Sequence, residues 1–121
     1  MTEQPSSREL VTLAADAIAE KKGESLTVLD LSEISPIADY FLICSGNNSR
    51  QVRSISEEIE RQLKEFWDIS PKSVEGLSDA NWVLMDYVDF IVHIFMPETR
   101  NFYSLERLWA DATRLELATQ G

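Results

Sequence analysis

Few residues in this 121-residue chain are of a type and spacing that could do covalent or metal chemistry. The one cysteine, Cys44, and the one histidine, His93, could form a nucleophile–base pair. Each stands inside an apolar run (Tyr40-Phe-Leu-Ile-Cys and Phe90-Ile-Val-His-Ile-Phe), so both are expected in core strands rather than in an active site. A lone histidine and a lone cysteine also give no zinc cluster and no disulfide framework. Asp86 and Asp89 form a carboxylate pair, but they flank a tight turn, where aspartate serves local hydrogen bonding. A metal–carboxylate site draws its ligands from separate elements, and no such convergence is visible. Ser45-Gly46-Asn47-Asn48 has one glycine and no lysine, so it is not a phosphate-cradling loop. No metal, cofactor or catalytic set is therefore expected.

Aromatic residues are the stronger signal. Trp82, Tyr87, Phe95, Phe102, Tyr103 and Trp109 crowd the C-terminal third. Core packing accounts for Phe95, Phe102 and Trp109. Trp82 differs, because it opens a hairpin strand beside Asp79 and Asn81, and both faces of that hairpin are apolar. Either a second layer of helix covers the far face, or a partner does. An uncovered apolar face rimmed by carboxylates is an interface signature. Trp82 is accordingly the first candidate for partner binding, with Leu84, Asp86 and Tyr87 beside it.

The elements that must position these residues can be read from periodicity. Leu10, Leu13, Ala14, Ala17 and Ile18 make the stripe of an amphipathic helix over Ser7 to Lys22, capped by Ser6 or Ser7 and stopped at Gly23. Leu26 to Leu31 reads as a short strand, and Tyr40 to Cys44 as a central one, apolar on both faces. A helix capped by Asn48 or Ser49 follows, with Val52, Ile55, Ile59, Leu63 and Phe66 on its core face. Lys72 to Gly76 is a short edge strand. Trp82 to Phe95 is a β-hairpin around Tyr87-Val88-Asp89, with Trp82, Leu84 and Asp86 on one face and Val83, Met85 and Tyr87 on the other. One last helix is expected from about Glu98 to Ala112, with Phe102, Leu105, Leu108, Trp109 and Ala112 as its stripe. The order is α-β-β-α-β-β-β-α, without repeats or linkers: one α/β domain.

Composition narrows the partners. Eleven basic against 21 acidic residues give a net charge of −10, spread over both halves of the chain without a block of like charge. Such a surface is repelled by phosphate backbones and attracted to basic proteins, so sequence-specific nucleic-acid binding is not expected. No apolar run approaches the ~18 residues of a membrane span, and the start lacks a signal-peptide pattern, so a cytoplasmic protein is expected.

Three segments together carry a family resemblance. Ala38-Asp-Tyr-Phe-Leu-Ile-Cys-Ser-Gly with Ser49-Arg-Gln-Val, then Glu75-Gly with the Trp82–Phe95 hairpin, then Arg100-Asn-Phe-Tyr-Ser-Leu-Glu-Arg-Leu-Trp-Ala-Asp-Ala resemble, in that order, the Iojap-like ribosomal silencing factors (RsfS). The likeness covers about residues 8 to 112, with the ends beyond expected to be flexible. Asp39, Ser49 and Arg50 match family positions, where capping and loop order explain them as well as contact does. Ser45-Gly46 between strand and helix is also similar to the glycine–serine turn of nucleotidyltransferases, which need two aspartates nearby to hold Mg²⁺. The resemblance implies a mixed sheet with helices mainly on one face, nucleotidyltransferase-like without catalytic carboxylates. It implies a translation repressor that binds the large ribosomal subunit through the ribosomal protein numbered fourteen and blocks joining of the small subunit. A homodimer off the ribosome is implied as well. The competing reading, an enzyme acting on a nucleotide, lacks its carboxylate pair. Val88 departs from the family, which has glycine there; glycine would supply a positive φ, so Val88 predicts a different turn and an altered hairpin tip.

Overall fold

A computed structural model of the chain describes residues 4–117; of the ends expected to be flexible, residues 1–3 and 118–121 fall outside the described residues, whereas Thr113–Leu115 forms a strand. Helix α1 spans Ser7–Glu20, and Ser6 caps it through a reciprocal box. The Ser6 hydroxyl accepts from the Glu9 amide at 3.1 Å, and the Ser6 amide donates to the Glu9 carboxylate at 3.2 Å. Helix α2 spans Ser49–Trp67, capped by the Asn48 side chain, which accepts from the Gln51 amide. Both bury one face, Val11, Ala14 and Ile18 from α1 and Val52, Ile55, Ile59 and Leu63 from α2. Each large apolar side chain so buried is worth ~1.5–3 kcal/mol, which outweighs the polar remainder of either helix. Phe66 does not join that face as the stripe predicts; it is 63% exposed, and Trp67 packs on the core instead.

Six strands make one mixed sheet in the order β3-β4-β5-β2-β1-β6. They are β1 (Glu24–Asp30), β2 (Tyr40–Ser45), β3 (Ser73–Glu75), β4 (Trp82–Asp86), β5 (Phe90–Phe95) and β6 (Thr113–Leu115). Central β2 and β5 run parallel, Tyr40 opposite Phe90 and Ser45 opposite Phe95, and every other neighbour pair is antiparallel. Helices α1 and α2 cover one sheet face, where Leu42, Cys44, Val83, Met85, Val92 and Ile94 point. Leu29, Phe41, Ile43, Ile91 and Phe95 point to the other.

That second face is where the expectation of one closing helix fails. Helix α3 covers only Pro97–Tyr103; Ser104 then takes a left-handed conformation at φ 47°, and a single turn, α4, follows over Leu105–Leu108. The cause is a contact no continuous helix could make. Arg100 donates to both oxygens of Glu106, at 2.9 and 3.0 Å. In an unbroken helix residues six apart lie about 240° round the axis from each other and cannot meet. The break also scatters the predicted stripe. Phe102 and Leu108 are 80% and 72% exposed, while Leu105, Trp109 and Ala112 settle half-buried on the second face. Beyond them β6, absent from the expected order, pairs with β1 through Thr113 opposite Asp30 and Leu115 opposite Val28.

The residue at the hairpin tip takes a positive φ, a backbone conformation that favours glycine. Val88 sits at φ 75°, and the Asp89 amide donates to the Tyr87 carbonyl at 2.9 Å across it, a three-residue γ-turn. Val88 thus carries the positive φ that the sequence reading reserved for glycine. Closure of the flanking pair, Tyr87 N–H on the Phe90 carbonyl at 3.0 Å, holds Val88 in place at the cost of backbone strain.

Candidate functional site

Of the four candidate residues, the strand alternation brings three together and removes one. Trp82, Leu84 and Asp86 lie half-buried on the second face. Tyr87, expected beside them as a binding residue, is only 7% exposed on the helix-covered side, stacked on Phe90 at 4.9 Å. Its hydroxyl is buried without a hydrogen-bond partner, and burial, with the Glu60 carboxylate adding to it, pushes the phenol pKa up. A side chain in that position supports the hairpin from beneath and does not present a surface.

Trp82 is held on three sides. Its ring stacks on Phe95, opposite it in the ladder, with centroids 5.0 Å apart, and meets Tyr103 of α3 at 4.7 Å. Its indole Nε1–H donates to His93 Nδ1 at 3.1 Å. Accepting there requires a neutral imidazole with its proton on Nε2, and that Nε2 is itself buried without a partner. Burial pulls the His93 pKa down to about 4, so the accepting form dominates at neutral pH. Phe41 meets the imidazole edge-on at 4.7 Å.

The strand carrying Trp82 is aimed by the loop before it. Gly76 has φ 89°, and a Cβ there would stand 2.0 Å from the Trp82 carbonyl oxygen, so only glycine allows the crossing. Arg53 of α2 donates to the Leu77 and Ser78 carbonyls at 2.9 and 2.7 Å and pins the same loop to the helix layer. At the hairpin tip Asp86 is partly committed, since its carboxylate accepts from the Val88 amide at 2.8 Å.

The residues that could have done chemistry are kept apart. Cys44 faces the helices and His93 the opposite side of the sheet, so they cannot form a pair. Desolvation pushes the Cys44 thiol up to about 12, far from a reactive thiolate. Among the described residues no group of three His, Cys, Asp or Glu side chains could hold a metal ion. At the Ser45-Gly46 turn the buried Ser45 hydroxyl accepts from Arg100 at 2.9 Å, and Gly46 N–H donates to the Phe95 carbonyl.

A family model described as ribosomal silencing factor during starvation matches residues 4–121, nearly the whole chain. The chain belongs to the RsfS family. It is 44% identical over 112 residues to the ribosomal silencing factor RsfS of Halalkalibacterium halodurans, covering 93% of this chain and 95% of the relative. It is 43% identical to that of Bacillus subtilis, covering 91% and 92%. A crystal structure from Bacillus halodurans superposes with a TM-score of 0.81 at 40% identity, over 92% of this chain and all of that one.

Within this RsfS-family fold, sequence reasoning missed part of the surface around Trp82. Tyr103 and Phe102, read as ordinary helix residues, line a groove with Trp82, Asp79 and Glu98. The signal was present in Asn101-Phe-Tyr-Ser, but an exposed aromatic pair is indistinguishable from a core stripe until the Ser104 break is known. The His93–Trp82 bond was equally out of reach, joining residues eleven apart across a ladder.

Proposed function

We propose that this chain silences ribosomes by binding the large subunit and keeping the small subunit from joining. Its docking partner is the large-subunit ribosomal protein numbered fourteen, on the intersubunit face. The block is steric and lowers protein synthesis when nutrients are scarce. The observation that carries this reading is Trp82. It is a large aromatic, half-exposed and preorganised by Phe95, Tyr103 and His93, at the centre of a strip that includes Leu84. Buried aromatics at the centre of a patch supply most of the energy of protein interfaces. Asp86, with Asp79 and Glu98 near Trp82, forms an acidic rim that suits a basic ribosomal protein, and the net charge of −10 disfavours the surrounding RNA. Trp82, Leu84 and Asp86 make the contact, and Tyr87 stiffens the hairpin from the buried side.

The protein works by occupying surface and not by catalysis, in the cytoplasm. Its nucleotidyltransferase-like turn is a scaffold feature. Off the ribosome, the same apolar strip pairs two copies of the chain. The test is sedimentation through sucrose gradients with purified large subunits, with and without small subunits. The protein is expected to travel with large subunits and to reduce the yield of joined particles. Association should weaken with added salt yet persist in part, because an apolar anchor is not screened. Free protein at the top of the gradient at every salt concentration would overturn the proposal.

A further inference from the structure

Beside Trp82 the surface is not flat. A groove of about 410 Å³ opens between the loop before β4 and the first turns of α3. Three of its walls are aromatic: Trp82 and Tyr103, with centroids 4.7 Å apart and planes inclined at 45°, and Phe102, at right angles to Tyr103. Phe102 is 80% exposed, an unusual investment for a phenylalanine on a monomer surface. Asp79 and Glu98 bring two carboxylates from two different elements, and no lysine or arginine lines the groove. Neither carboxylate has an ion-pair or hydrogen-bond partner among the described residues. The larger groove at the ends of β2 and β5 makes the contrast clear: there Arg100 and Arg107 face Glu24 and Glu106, and the charges cancel.

We infer that the Trp82 groove is a receptor for one arginine side chain on the surface of the partner protein. This rests on the reading that the Trp82 face meets a basic ribosomal protein. Inclined aromatic walls offer π faces to a cation, and carboxylates at the mouth offer acceptors to its N–H groups. A planar guanidinium satisfies both at once, stacking on a ring while its edge donates to Asp79 and Glu98; a lysine ammonium has no face to stack and stays more strongly hydrated. Phe102 and Tyr103 stand on α3, where both rings are exposed, 80% and 50%, and so are open to a side chain arriving from solvent.

The groove can be tested without the ribosome. N-acetyl-arginine methylamide, and the citrulline analogue as its neutral isostere, are titrated into the isotope-labelled chain, reading the Trp82 indole N–H and the Thr99 and Phe102 amides by NMR. Arginine is expected to bind in the millimolar range and about tenfold more tightly than citrulline. The double variant Asp79→Asn/Glu98→Gln, on exposed positions where folding is undisturbed, should lose that preference. Equal shifts from both ligands, or shifts scattered away from the groove, would overturn the assignment. The same variant with large subunits separates the two readings. Loss of co-sedimentation in the variant alone supports both. Arginine binding by the isolated chain without co-sedimentation of the wild type leaves the groove standing and removes the ribosomal partner. Co-sedimentation with no arginine preference does the reverse.

Discussion

Acidification should weaken this fold through one residue, and the size of the effect follows from where His93 sits. Only 4% of its surface is exposed, among Phe41, Trp82 and Phe95, with no carboxylate against it to stabilise a positive charge. Burial holds its pKa at about 4, against 6.5 in an unfolded chain. The folded state therefore binds fewer protons than the unfolded one, and stability is complete above pH 6.5 and drains away as pH falls toward 4. The whole difference is about 3 kcal/mol, of which about 2 kcal/mol is lost between about pH 7.5 and pH 5. That is a large share of the ~5–15 kcal/mol available to a small domain. Protonation of the folded protein at Nδ1, which sets in only near pH 4, also breaks the bond from the Trp82 indole, so the anchor itself loosens at the acid end, below the range in which stability is lost. The assay is urea unfolding at a series of pH values for the wild type and for His93→Phe, which fills nearly the same volume and cannot titrate. Other groups titrate in both proteins, so the difference between the two curves isolates the imidazole. Parallel curves, or an NMR titration of His93 centred near 6.5, would refute the burial argument.

Three further outcomes follow from the geometry around the same hairpin. Trp82→Ala should cost large-subunit binding ~2–4 kcal/mol, about thirty- to a thousand-fold, by co-sedimentation, whereas Trp109→Ala, half-buried against Phe41, should lose about 2 kcal/mol of stability first. A Trp82→Ala protein that stays folded and binds normally would move the anchor elsewhere. Val88→Gly should raise stability by about 1 kcal/mol, seen as a higher urea midpoint, because release of strain at φ 75° exceeds the added flexibility of the unfolded chain and little packing is lost from a 59%-exposed side chain; a lower midpoint would show that the turn is not strained. Gly76→Ala should lose about 2–4 kcal/mol in the same assay, since its Cβ would meet the Trp82 carbonyl at 2.0 Å, and an unchanged midpoint would mean the loop can yield.

The sequence by itself determined the elements whose signals are local. The start of α1 at Ser6 or Ser7, the apolar faces of α1 and most of α2, the continuous apolar run of β2 and the alternation along β4 all depend on residues within a few positions of each other. The same alternation separated Tyr87 from Trp82, Leu84 and Asp86, although grouping them as one binding set ignored it. The three family segments were equally legible, because each is contiguous. Tertiary structure decided everything that rests on contacts between distant positions. Ser104 breaks the closing helix where Arg100 is drawn toward Glu106 and toward Ser45, 55 residues earlier. Without that pull, a helical period predicts Phe102 and Leu108 as core. The three-residue β6 exists because β1 offers it an edge, and three residues carry too little pattern to announce a strand. Val88 adopts a glycine-like φ because the ladders on either side fix both ends of the turn, overriding what its own side chain prefers. The Trp82 surface belongs to the same class: β4, β5 and α3 each supply one wall of its setting, and only their packing makes a site of residues that are, in the chain, an ordinary scatter of aromatics and carboxylates.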